Sequence, residues 1–183
     1  GQPFDAERRF RDALQFDAAF FGMPAAEAAR TDPQHRWMLQ SAWHALCDAA
    51  CDPARFDGTI GVFAGCSASG YGAGEHEAAG HRAGGTVRSD SVASSIALDR
   101  DFLATRVAYK LDLRGPALDV QTACSTSLVA VHLAVSALQL GQCDLALAGG
   151  VSIAAPVVGG HVYAKGGIVS EDGACRPFSD DAD

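Results

Sequence analysis

Cys124 stands where a thiol can do chemistry. Ala117 to Val120 read as a short buried strand, Gln121-Thr122-Ala123 as a tight turn and Ser125 to Leu140 as a helix. A strand-to-helix corner exposes one side chain at the end of a sheet, beside the unpaired backbone N–H groups of the helix's first turn. Those amides and the helix dipole favour thiolate over thiol, and the thiolate is the nucleophile. The bland alternative is a small buried core cysteine, the common fate of a free thiol. His132 follows on the same helix, about 12 Å further along the axis at ~1.5 Å per residue, too far to act as the base for Cys124.

Two other clusters invite chemistry and do not carry it. His44, Cys47 and Cys51 fall at i, i+3 and i+7 on one face of a predicted helix, but Trp43, Leu46 and Ala50 lie alongside, so a packed helix face is the better reading than a metal site. Gly70-Tyr71-Gly72-Ala73-Gly74 does not complete G-x-G-x-x-G and no G-K-[ST] follows, so Gly65 to Gly85 reads as a surface loop rather than a phosphate cradle.

The elements that must hold the corner follow from local signals. Asp32-Pro33 is an N-cap followed by proline at the first helical position. Gln34 to Ala50 then carries Met38, Leu39, Ala42, Trp43 and Leu46 at helical spacing. Thr59 to Ala64 is a β-rich run between Gly58 and Gly65, and Asp101 to Lys110 reads as another helix. The helix after Cys124 is apolar nearly all round, with Leu128, Val131, Val135 and Leu138 among its residues. It is expected to be buried between layers. Gly141 suits its C′ position, and Asp144 to Ile153 supplies a strand with Gly149-Gly150 in or just after it. Alternating helix and strand point to an α/β sheet.

The bounds are those of an ordinary globular domain: 183 residues, 48% hydrophobic and 20% charged. A net charge of -8 with no Lys/Arg cluster repels phosphate backbones, which argues against nucleic acid. The longest apolar stretch, Leu145 to Gly160, is broken by glycines and Pro156 and is too short to span a membrane. Six scattered cysteines without a CxxC pair suggest reduced thiols, and with no secretory signal in view a cytoplasmic location is expected. The chain opens at Gly1 and closes at Asp183 within an acidic loop after the Asp172-Gly173 turn, which reads as part of something longer.

The stretch Val120-Gln121-Thr122-Ala123-Cys124-Ser125-Thr126-Ser127-Leu128 closely resembles the active-site segment of the β-ketoacyl synthase domains of modular polyketide synthases. Upstream, Asp32-Pro33-Gln34-His35-Arg36 and Phe102 to Leu111 extend the match, as do Ala148 to Ser152 and Asp172 to Phe178 downstream. Gln121 and Thr126 stand where many relatives have Asp and Ser. The resemblance implies a thiolase-like fold layered α-β-α-β-α. Residues 1–183 would be a partial N-terminal domain, most of the first half, without the family's opening strand and C-terminal half. It implies that Cys124 takes an acyl chain from the phosphopantetheine thiol of an acyl carrier protein, with its own N–H as an oxyanion donor and Thr122, Ala123 and Ser125 as substrate-binding neighbours. No cofactor or metal would be bound by the domain itself. A malonyl-type extender would then be decarboxylated with the help of two histidines, none of which is among His35, His44, His76, His81, His132 or His161, so the chain alone would not condense. Flanking synthase domains and homodimerisation when complete are further implications. The alternatives are a non-catalytic ketosynthase-like partner, disfavoured by the presence of Cys124, and a thiolase-type acyltransferase using coenzyme A thioesters.

Overall fold

The computed structural model describes residues 15–72, 89–153, 163–168, 170–174 and 176–180. Helix α1 (Ala25–Arg30) precedes α2 (Pro33–Asp48) and strand β1 (Ile60–Cys66). Then come α3 (Ser89–Leu98), a 3-10 turn at Arg100–Phe102, α4 (Leu103–Lys110), β2 (Ala117–Asp119), a second 3-10 turn at Ala123–Ser125, α5 (Thr126–Gln139) and β3 (Leu145–Val151). As predicted, Asp32 caps α2, its carboxylate accepting from the Gln34 N–H at 2.7 Å with Pro33 at the first position. Gly141 ends α5 in the left-handed region at φ +66°. Sequence reading missed α1 and α3. Most of the predicted Gly65–Gly85 loop, from Ala73 on, lies outside the described residues.

The three strands form a parallel sheet in the order β2-β1-β3. Central β1 is buried along its whole length, which is why Ile60 to Cys66 is an unbroken apolar and glycine run rather than an alternating one. Its faces separate with period two. Ile60, Val62, Ala64 and Cys66 pack with Leu39 and Leu46 of α2 and Leu103 and Val107 of α4. Phe63 turns the other way onto Val120, Ala130, Ala134 and Ala137. The described residues thus make three layers, α2 and α4, then the sheet, then α5.

Helix α5 corrects an expectation. It buries only the small side chains Ala130, Ala134 and Ala137, while Leu128 (75% exposed), Val131, Val135 and Leu138 stand open on its outer face. One sheet can cover one side of a helix, and an all-round apolar composition needs a second cover.

Under α2 lies a buried polar knot. His35, 1% exposed, accepts at Nδ1 from the Arg106 Nε–H (3.2 Å), and its Nε2 has no partner among the described residues. Arg106 also donates to the Ile96 carbonyl at 2.6 Å and approaches Glu27 at 3.5 Å. Burial first, and the Arg106 charge second, lower the His35 pKa to about 3, with the Asp99 charge opposing. The unfolded chain therefore takes up a proton near pH 6.5 that the folded chain refuses. Stability is expected to fall as pH drops from 6.5 towards 3, by up to ~1.4 kcal/mol per pH unit. Urea midpoints at pH 7 and pH 5 should show this slope in the native protein, and His35→Gln should flatten it; an unchanged slope would remove His35 as its source.

Candidate active site

The chain crosses the sheet from β1 through α4 to β2, then reverses through α5 to β3 on the far side of β1. Reversal puts α4 and α5 on opposite faces, as right-handed crossovers require. Between the C-terminal ends of β1 and β2 the connections diverge, and such a switch point is where an open α/β sheet leaves a crevice. A cavity of about 630 Å³ opens there. It is lined by Cys66 and Ser67 from β1 and its exit, Ala123 and Cys124 from the turn after β2, and Val151 and Ser152 from β3 and its exit. Gln121, Thr126 and Arg100 also reach it.

Cys124 is exposed in the 3-10 turn that leads into α5. Ala123 before it is held at φ +52°, a left-handed conformation unfavourable for a residue with a Cβ, so the corner is strained as a nucleophile elbow is. Three bonds brace it. The Thr122 N–H donates to Thr126 Oγ1 at 3.0 Å, while the Ser125 hydroxyl and N–H both donate to the Thr122 carbonyl, at 2.7 and 3.2 Å. With its hydroxyl turned back, Ser125 makes no side-chain cap on α5, and the Thr126 N–H at the start of that helix donates to the Ala123 carbonyl. Ala123 and Cys124 line the cavity; Thr122 and Ser125 hold the turn in shape.

Gly65 lets the corner sit this close. A Cβ there would lie 1.9 Å from the Val120 carbonyl oxygen and 2.6 Å from Cγ2 of Thr126. That Cγ2 is the methyl a serine would lack. Asp119, just before the corner, accepts from the Ala104 N–H at 2.9 Å and so ties the end of β2 to the start of α4, while burial raises its pKa.

The cavity holds a second cysteine that sequence reading passed over. Cys66 is 6% exposed, and its thiol is pushed up to about 12, chiefly by burial and then by the Asp32 and Asp119 charges. It lines the wall as a neutral thiol. Its place at the end of β1 was readable, but the cavity beside it depends on the strand order. Iodoacetamide near neutral pH is expected to modify exposed Cys124 ahead of exposed Cys47, which lacks the helix N-terminus, and both ahead of buried Cys66 and Cys143. Peptide mapping reads the order, and Cys66 or Cys143 labelling first would contradict it. None of the described histidines lines the cavity. The described residues contain no helix long and apolar enough to cross a membrane.

Comparison with known proteins accords with this geometry. Residues 4–183 match the family model for the β-ketoacyl synthase N-terminal domain. The chain belongs to the β-ketoacyl synthase family. It is 51% identical over 174 residues to a phenolphthiocerol/phthiocerol polyketide synthase of Mycobacterium tuberculosis, a match covering 92% of this chain and 12% of the relative. It is 40% identical to polyketide synthase GfsA of Streptomyces halstedii, over 100% of this chain and 2% of that protein. Among solved structures, ketosynthase twelve of the bacillaene polyketide synthase of Bacillus amyloliquefaciens superposes with a TM-score of 0.74 at 27% identity, covering 86% of this chain and 27% of that one. The α/β architecture is therefore the thiolase-like one of ketosynthase domains, and the chain spans only a small part of the length of its relatives.

Proposed function

We propose that Cys124 is the acyl acceptor of a condensing domain to which residues 1–183 contribute the nucleophile, and that the acyl chain arrives as a thioester on the phosphopantetheine arm of an acyl carrier protein. The observation that carries this reading is the strained corner that presents Cys124, exposed, to the cavity at the switch point of the sheet. The Cys124 thiolate adds to the thioester carbonyl carbon, and the carbonyl oxygen takes the negative charge. The C–S bond to the arm then breaks, the arm leaves as a thiolate and takes up a proton. The Cys124 N–H, in the 3-10 turn that leads into α5, is the oxyanion donor in this scheme.

Carbon–carbon bond formation follows by decarboxylation of a malonyl-type extender, whose carbanion attacks the acyl-Cys124 thioester and returns the thiolate. The two histidines this step calls for belong, in this reading, to the rest of the domain. So does the cover for Leu128, Val131, Val135 and Leu138, in keeping with the 27% coverage of a ketosynthase chain. The names of the relatives make polyketide assembly the proposed setting, with flanking synthase domains as partners. Free thiols among the described cysteines suit a reducing compartment such as the cytoplasm. The test is to incubate the complete domain with one acyl group carried on an acyl carrier protein and on coenzyme A, and to map the adduct by peptide mass. An acyl-Cys124 peptide formed faster from the carrier is expected; acylation elsewhere would sink the reading.

A further inference from the structure

Gln34 is 1% exposed on α2 and lies outside the cavity lining, yet two hydrogen bonds tie its amide to the lining residue Ser67 and a third to Ile153, next to the lining residue Ser152. The Ile153 N–H, which can only donate, meets one end of its amide at 3.2 Å, so that end is Oε1. The Ser67 carbonyl, which can only accept, meets the other end at 3.0 Å, so that end is Nε2. With the amide so oriented, the Ser67 hydroxyl must spend its single proton on Oε1, at 2.7 Å. Ser152 Oγ lies 3.1 Å from Ser67 Oγ, and because the Ser67 proton is committed, Ser152 is the donor of that bond. Both hydroxyl protons, that of Ser152 and that of Ser67, therefore point along this relay towards Gln34. Ser152 lines the cavity and, among the described residues, has no other bonded partner, so it offers lone pairs only.

We propose that Gln34 is a positioning residue that polarises this wall as a hydrogen-bond acceptor, so that the cavity favours thioesters carrying a donor, either a hydroxyl on the acyl chain or an amide N–H on the thiol arm. The inference rests on acyl loading at Cys124 as proposed above.

The experiment measures second-order acylation of Cys124 by intact mass in the complete domain. Four probes are used: butyryl and 3-hydroxybutyryl groups, each as the ethyl thioester, which has no amide, and as the N-acetylcysteamine thioester, which has one. The readout is the rate ratio of a donor-bearing probe to its plain counterpart, which cancels any loss of folded protein. In Ser152→Ala this ratio should fall roughly fivefold, the worth of about one hydrogen bond. A fall in the hydroxyl ratio identifies the acyl chain as the source of the donor, and a fall in the amide ratio identifies the arm. Gln34→Leu should reproduce the fall without altering a lining residue, and the double variant should add nothing further. Ratios unchanged in Ser152→Ala or in Gln34→Leu, or additive falls in the double variant, overturn the polarised wall while leaving acyl loading intact. If the unaltered domain loads no probe at Cys124, both the loading and the inference built on it are lost.

Discussion

Cys124→Ala is expected to end acyl loading, lowering the rate by a factor on the order of 10^4 or more, as removal of a nucleophile does. The domain should remain folded. Cys124 is exposed, so the lost sulfur leaves no cavity in the core, and the bonds that brace the corner run between Thr122, Ser125 and Thr126 without it. Intact mass after exposure to acyl donor should read one adduct per chain in the unaltered domain and none in the variant, with urea midpoints within about 0.5 kcal/mol of each other in stability. An adduct that persists in the variant would take Cys124 out of the mechanism, Cys66 being the other thiol in the same cavity.

Gly65→Ala should damage both stability and the site. The added Cβ would meet the Val120 carbonyl oxygen at 1.9 Å, a backbone atom that cannot swing aside. Val120 is itself held to β1 by its N–H to the Ala64 carbonyl at 2.8 Å. Relief requires the exit of β2 to move, and Cys124 moves with it. A loss of at least about 2 kcal/mol is expected, towards the upper range for an overpacked core, with acyl loading impaired in whatever fraction folds. Gly149→Ala is the matched control, a glycine in neighbouring β3 whose added Cβ, among the described residues, would touch only Met38 Cε at 3.8 Å. Denaturant unfolding of the two variants side by side decides it; equal stabilities would mean that the close approach at Gly65 relaxes freely.

The corner was legible because its signals are local. A short strand, a turn and a long apolar helix adjoin in sequence around Cys124, and Asp32-Pro33 marks its helix in the same way. Ser89–Leu98 escaped notice because its four serines in ten residues blur the apolar period. Cys66, Ser67 and Ser152 were invisible as site residues for another reason. They come together only because β1 takes the middle of the sheet, and pairing of residues far apart in sequence leaves no local mark. The burial of α5 was overestimated because composition reports how much cover a helix wants, not whether these layers supply it.

The central place of β1 also bears on how the protein is made. β1 is flanked by β2, which begins about 50 residues after it ends, and by β3, which begins about 80 residues after it ends. At roughly 5–20 residues per second on the ribosome, the fully apolar strand waits about 4 to 16 s for its last neighbour. Throughout that interval its edge is an open template for mispairing, and a chaperone has most to protect there. The corner bearing Cys124 is synthesised before β3, so the nucleophile exists before Val151 and Ser152 complete the wall of the cavity in which it is to work.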